Sequence, residues 1–95
     1  MNKDLVIAKK CIEVEIKALK KLSASFNRSS QFSRTVNLIS KMKGKCIVIG
    51  VGKSYLVGLK VSATLSSLGT PSVAFSANDL QHGGLGAIQK NHDVM

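Results

Sequence analysis

The sequence predicts an α/β fold, because two short apolar runs flank a segment with the composition of a helix. Residues 46–49 and 73–75 are apolar and bounded by turn residues, which is typical of buried strands. A helix between them is the crossover of a βαβ unit, so the two strands should be parallel. The chain has 95 residues, one small domain at most, and no tryptophan, so its core must be mainly aliphatic.

A long amphipathic helix is predicted at the start of the chain, over residues 4–22. Its apolar side chains recur at three- and four-residue steps and form one stripe: Leu5, Ala8, Ile12, Ile16 and Leu19. Such a stripe indicates that the helix packs on another element. Cys11 lies within this apolar pattern, and we expect its side chain to be buried.

A second helix is predicted from Ser29 or Ser30 onward, because either serine can cap it. Gly44 is the glycine expected just after its end. The chain is therefore divided into two parts. Residues 1–43 form an N-terminal helical segment, and residues 44–95 form the first part of an α/β domain.

The crossover helix is predicted over residues 54–68, with Ser54 as a candidate N-cap and Gly69 as its terminator. It carries one charge, Lys60, and otherwise consists of apolar and small residues. A helix of this composition is covered on most sides. We expect the sheet on one face and a second subunit or domain on the other.

The C-terminal part contains loops and the beginning of a further strand. Residues 76–79 form a loop that caps a brief helical turn, and residues 82–86 are rich in glycine. Residues 91–93 are typical of a turn into another strand, which Val94 and Met95 would open. An element that begins at the last two residues predicts a truncated domain.

The distribution of the basic residues argues against a nucleic-acid partner. The formal net charge is +9, but the lysines spread around the first helix or flank Gly44, and no aromatic residues alternate with them. We interpret them as solvated surface residues and expect no nucleic-acid partner: Lys9, Lys10, Lys17, Lys20, Lys21, Lys41, Lys43 and Lys45.

The cysteines and the hydropathy pattern point to the cytoplasm. Cys11 and Cys46 fit no metal-ligand spacing and are interpreted as buried free thiols of a reducing compartment. Charges interrupt the N-terminus, so no signal peptide is predicted, and no apolar run approaches membrane-spanning length. We expect a cytoplasmic protein without metal, cofactor or membrane partner.

The most informative motif follows the first strand directly and is called here the glycine–lysine turn (residues 50–54): Gly50-Val51-Gly52-Lys53-Ser54. A strand that enters a glycine turn and then a helix is suited to anion binding, because free backbone N–H groups of the helix point at the ligand. Lys53 adds a positive charge and Ser54 a hydroxyl donor. A phosphorylated small molecule is the ligand that this combination indicates.

Two known phosphate-binding loops are excluded by spacing. A Walker A loop requires a glycine where the chain has Ile47, and a dinucleotide fingerprint requires a small residue where it has Tyr55. A phosphomonoester site remains, and so does a purely structural turn in which Lys53 is solvated.

His82 is the second candidate for chemistry. It follows the second strand by seven residues, and the carboxyl ends of parallel strands form the ligand crevice of an open α/β sheet. An imidazole there can move protons on a sugar. Asp79 is the acid nearest to it, and either orients His82 or caps a helical turn. A structural His82 is the alternative.

Four groups of residues together resemble the sugar isomerase (SIS) domain, and among its members the arabinose-5-phosphate isomerases. They are the segment 44–54, Ala63-Thr64-Leu65, Gly69-Thr70-Pro71, and His82-Gly83 with the later Leu85-Gly86 and Asp93-Val94. The resemblance covers about residues 44–95. It implies interconversion of arabinose 5-phosphate and ribulose 5-phosphate in a tetramer-forming domain of parallel-sheet, Rossmann-like architecture.

The resemblance also implies roles for individual residues. Gly50, Gly52, Lys53, Ser54 and Gly83 would line the substrate site, and His82 with Lys53 would act in catalysis.

The sequence departs from the family pattern in several places. Tyr55 stands where the family has a glycine, Ser76-Ala77 where it has His-Pro, and Gly84 where an acid follows His-Gly. The serine-rich phosphate loop and the later catalytic residues of the family are not in the 95 residues.

We therefore expect a sugar-phosphate isomerase-like chain that is inactive alone. The alternative is a non-enzymatic remnant or sugar-phosphate-binding module. Two partner chains stay open, a second copy in a homo-oligomer and a complementing C-terminal fragment.

Overall fold

The computed structural model describes residues 2–26 and 30–95, which form two compact units, Met1–Thr35 and Val36–Met95. The predicted α/β class is confirmed, and the elements follow the predicted order. They are α1 (Lys3–Ser25), α2 (Gln31–Lys41), β1 (Cys46–Gly50), α3 (Lys53–Ser67), β2 (Ser72–Ser76), α4 (Ala77–Gln81) and a 3₁₀ turn (Gly84–Ala87).

Helix α1 is longer than predicted and leaves its apolar stripe exposed. The side chain of Asn2 accepts a hydrogen bond from the Asp4 N–H at 2.8 Å and caps the helix. No residue of α1 is buried, and Leu5 and Leu19 are each 64% exposed. The prediction of a buried Cys11 is wrong, because Cys11 is exposed and no element among the described residues of its unit covers the stripe.

Helix α2 begins at Gln31, close to the predicted start. Ser30 is its preceding residue and accepts the Arg34 N–H through its backbone carbonyl, whereas Ser29 lies outside the described residues. The helix ends with Lys41. It is amphipathic, yet its apolar side chains at Val36 and Leu38 are half or more exposed.

The sheet is built around β1. β1 and β2 are parallel, with Cys46 opposite Ser72 and Gly50 opposite Ser76, as the crossover predicts. On its other edge β1 meets the predicted third strand, where Val94 forms a parallel bridge with Cys46. Cys46 and Ile47 are the buried hydrophobic residues of the described chain, at 8% and 3% exposure, so the core lies at this central strand.

Helix α3 packs on the sheet through its smallest side chains. Gly58 and Ser62 are its buried residues, and a Cβ atom at Gly58 would lie 3.0 Å from Val48 Cγ1. Helix and sheet therefore approach closely. The opposite face of α3 is exposed, since Leu56 and Val57 are 62% and 63% exposed. Of the two partners expected for this helix, the sheet and a second subunit or domain, the described chain supplies the sheet.

A buried ion pair fixes the third strand beside β1, and we call it the Lys45/Asp93 clamp. Asp93 Oδ1 accepts the Lys45 N–H at 2.8 Å, and Oδ2 accepts Lys45 Nζ at 2.9 Å and the Gln89 N–H at 2.7 Å. The carboxylate side chain is 1% exposed. The interpretation of Lys45 as a solvated surface lysine is therefore wrong, because its side chain, 29% exposed, is held in an ion pair with a buried carboxylate.

The same clamp explains Gly44. Its φ is not positive, so it is not the left-handed residue expected after a helix. A Cβ atom there would collide with the carboxylate of Asp93, and the Gly44 N–H donates to the His92 carbonyl at 2.7 Å. Gly44 is thus required by a close approach rather than by a helix end.

We predict that the clamp makes the folding stability depend on pH in the acidic range. The hydrogen bonds from the Gln89 and Lys45 N–H groups, and then the Lys45 ammonium, lower the pKa of Asp93 from its ordinary 3.8 to about 2. Because the pKa is lower in the folded state, this contribution is complete above about pH 4 and is lost as the pH falls toward 2. The melting temperature of the wild type should fall across that window.

The matched variant is Asp93→Asn, which cannot ionise. Its melting temperature should start lower and fall less between pH 4 and pH 2 than that of the wild type. Parallel curves for the two proteins would contradict the prediction.

Candidate functional site

The candidate site lies where β1 and β2 end. Gly50 is paired with Ser76, so the glycine–lysine turn and the segment after β2 leave the sheet at the same edge. β2 and Val94 lie on opposite sides of β1, so the direction of strand succession reverses at β1. Ligands of open α/β sheets bind outside the carboxyl ends of the strands at such a reversal point.

Both glycines of the turn are required by the backbone. A Cβ atom on Gly50 would lie 2.8 Å from the Tyr55 nitrogen and 2.9 Å from the Ser54 carbonyl carbon, so α3 starts too close for any side chain. Gly52 has φ 59° and ψ −126°, a conformation that residues with a Cβ rarely adopt. The sequence signal for a tight strand-to-helix turn therefore has a direct geometric cause.

The first turn of α3 offers donors to an anion. The helix begins at Lys53 with Gly52 as its N-cap, so the prediction of Ser54 as the N-cap is wrong. The Ser54 N–H donates to the Val51 carbonyl at 3.2 Å. Among residues 2–26 and 30–95, the backbone N–H groups of Lys53 and Tyr55 find no acceptor, which leaves them available at the positive end of the helix.

The side chains of Lys53 and Ser54 are exposed at this helix start. Within the described ranges neither one forms a hydrogen bond or an ion pair with protein. The charge of Lys53 is therefore free to meet a ligand, and the arrangement suits a phosphate ester.

His82 lies in the segment that follows β2. It follows α4 directly, its N–H donates to the Asp79 carbonyl at 3.1 Å, and its side chain is exposed. Gly83 has φ 114° and leads into the 3₁₀ turn. Neither predicted role of the Asp79 carboxylate is seen in the described part of the chain, because it neither caps α4 nor bonds to His82.

Comparisons with known proteins identify relatives along nearly the whole chain. No protein-family model matches. An uncharacterized Rickettsia prowazekii protein is 37% identical over 99% of this chain, and the arabinose 5-phosphate isomerase KpsF of an Escherichia coli O6:H1 strain is 48% identical over 75% of it. A solved Escherichia coli CFT073 protein in complex with arabinose 5-phosphate superimposes with a TM-score of 0.81 and 35% identity over 99% of this chain.

The chain is a homologue of the arabinose 5-phosphate isomerases. It spans 29% of the Rickettsia relative, 21% of KpsF and 50% of the solved chain, so the homology concerns part of each. The resemblance to a sugar isomerase domain is confirmed at this level.

The predicted site residues fall into two groups, each in a segment that follows a strand of the sheet. Gly50, Gly52, Lys53 and Ser54 are contiguous, whereas His82 and Gly83 come from the segment after β2. No hydrogen bond joins the two groups in the part of the chain that the structure describes.

No described helix is long and apolar enough to cross a membrane.

We predict that Gly50→Ala destabilises the chain by crowding the glycine–lysine turn. The new methyl group meets backbone atoms of Ser54 and Tyr55, which cannot rotate away, so the free energy of unfolding should fall by about 1–3 kcal/mol. Urea denaturation measures this. The control is Gly86→Ala, where nothing lies within 4 Å of the added atom and the change should stay within about 0.5 kcal/mol. Equal effects of the two substitutions would contradict the prediction.

Proposed function

We propose that the chain forms part of a sugar-phosphate isomerase that interconverts an aldose phosphate and a ketose phosphate. Arabinose 5-phosphate and ribulose 5-phosphate are the proposed pair. The observation that carries the proposal is the superposition on a protein bound to arabinose 5-phosphate, with the glycine–lysine turn at the carboxyl edge of the sheet. The name of KpsF supports the same substrate.

The glycine–lysine turn is proposed to bind the substrate. Lys53 supplies the countercharge for the phosphate, and Ser54 with the unpaired N–H groups of the first helical turn supplies hydrogen bonds. Gly52 lets the backbone approach the ligand, because nothing lies within 4 Å of its Cβ position, and Gly50 contributes by letting the first turn of α3 lie against the end of β1.

His82 is proposed to move protons, and Gly83 to let its segment approach the sugar. The aldose loses a proton from C2 to a base, and the same carbon skeleton regains a proton at C1 as the enediol becomes the ketose. The hydroxyl proton moves between the two oxygens, so atoms and electrons balance. An exposed imidazole beside the site can serve as such an acid and base.

We propose that part of the site is supplied by residues other than these 95, because the chain spans 50% of the solved protein on which it superimposes. At a reversal point the crevice has two walls, the loop after the central strand and the loop after its other neighbour. The first is the glycine–lysine turn, whereas Val94 lies at the start of the other neighbour. A second copy or a complementing fragment remains a proposed partner. We also propose a cytoplasmic location without nucleic acid.

We predict that Lys53→Gln weakens binding of arabinose 5-phosphate at least about tenfold, because a charge-assisted contact to phosphate is lost. Titrations of the ¹⁵N-labelled chain followed by NMR measure this, with shifts expected at the amides of Lys53 and Tyr55. Lys60→Gln is the matched control, an exposed lysine two turns further along α3. Its affinity should equal that of the wild type.

Two results would contradict the binding proposal. One is equal affinity of Lys53→Gln and wild type. The other is an equal response to inorganic phosphate and to arabinose 5-phosphate, which would mean that the turn binds any anion and does not recognise the sugar.

We further predict that the purified 95-residue chain does not convert arabinose 5-phosphate to ribulose 5-phosphate. One wall of a crevice cannot exclude water or hold both reacting carbons in place. A colorimetric ketose assay, run beside a full-length relative, measures this. Turnover by the chain alone at a rate near that of the relative would contradict the prediction.

A further inference from the structure

The Lys45/Asp93 clamp joins parts of the chain that are distant in sequence. Asp93 takes hydrogen bonds from the Lys45 N–H, from Lys45 Nζ and from the Gln89 N–H. The Lys45 ammonium also donates to the Ala87 carbonyl at 2.8 Å. One ion pair therefore ties the residue before β1 to the chain segment that brings His82 back from the site edge.

His82 depends on backbone anchors for its position. Its imidazole is exposed and forms no hydrogen bond in the described ranges, so no side-chain contact holds it. On the N-terminal side, α4 follows β2 directly, and Gly84 packs against the Asp79 carbonyl, 2.9 Å from the site of a Cβ atom. On the C-terminal side, the anchor is the clamp at Ala87 and Gln89.

We propose that Lys45 and Asp93 are positioning residues, which hold residues 82–89 against β1 from the edge of the sheet opposite the site. The role of this segment in catalysis rests on the proposed function, whereas the mechanical role of the clamp does not. Among the described residues, no hydrogen bond joins the glycine–lysine turn to the clamp. The clamp should therefore affect residues 82–89 and leave the turn unchanged.

The two partners are not equivalent. Loss of the ammonium in Lys45→Met leaves a buried carboxylate that still accepts two backbone N–H groups. Loss of the charge in Asp93→Asn puts an amide group against those donors, so a buried N–H donor can lose its acceptor, and it leaves the partly buried Lys45 ammonium without its counterion. Asp93→Asn should therefore loosen the segment more than Lys45→Met.

Amide hydrogen exchange on the ¹⁵N-labelled 95-residue chain tests the proposal. In Asp93→Asn and Lys45→Met, the exchange of the amides of residues 82–89 and of Val94 should accelerate by a factor at least about ten times larger than that of amides in the middle of α3, which report the loss of global stability alone. Lys45→Arg, which keeps the charge and can reach both acceptors, should restore the slow exchange.

Two exposed neighbours serve as matched controls for charge alone. Asp79→Asn removes an acid of α4, just before residues 82–89, that makes no side-chain hydrogen bond in the described residues, and Lys43→Gln removes a lysine two positions before Lys45. Both should leave the exchange pattern unchanged.

Three results would overturn the proposal. One is a uniform acceleration in all elements, which would make the clamp a general stabiliser. Another is unchanged exchange in residues 82–89. The third is a wild-type chain whose Ile47 and Val94 amides are not protected. The experiment uses no ligand, so its failure is separate from failure of the Lys53→Gln titration.

Discussion

Parallel pairing on both edges of β1 is the constraint on which the unit Val36–Met95 depends. The Cys46 N–H donates to the Pro71 carbonyl at 2.8 Å on one side, and the Ile47 N–H donates to the Val94 carbonyl at 2.7 Å on the other. A residue with strand neighbours on both sides has its backbone hydrogen-bonded and can be buried, and on the third-strand side this holds for the start of β1, at Cys46 and Ile47. This explains why the buried apolar side chains cluster here, and why the turn after β1 lies at the reversal point of the sheet.

The close approach of α3 to β1 shapes the edge of the sheet that carries the candidate site. Gly58 lets the helix pack directly on Val48, and Gly50 lets its first turn lie against the end of the strand. The free N–H groups at the helix start are then held at the carboxyl edge of the sheet by packing, rather than by a capping side chain. A site arranged in this way needs little reorganisation when an anion binds.

Local signals predicted the parts of the fold whose causes are local. The apolar runs at β1 and β2, the crossover helix and the turn at Gly52 follow from periodicity and backbone geometry, and they are confirmed. The Lys45/Asp93 clamp joins residues 48 positions apart, and no short-range pattern distinguishes Lys45 from a solvated lysine. The exposure of Cys11 was not predictable for a related reason, because an apolar stripe shows that a helix prefers a partner and not whether the same chain supplies one.

The clamp contributes more to the register of the third strand than to the net stability of the fold. A buried ion pair returns in Coulomb attraction about what desolvation costs, so its net contribution to stability is small compared with the penalty for breaking it. Its geometric effect is larger, because the Asp93 carboxylate accepts the Lys45 N–H and thereby fixes which residue of the third strand faces β1. A slip of one residue would turn every following side chain of that strand to the other face. In a unit whose buried apolar core, among the described residues, consists of Cys46 and Ile47, hydrophobic packing specifies the register weakly. The polar contact at the base of the sheet therefore determines the alignment that the edge bearing the candidate site requires.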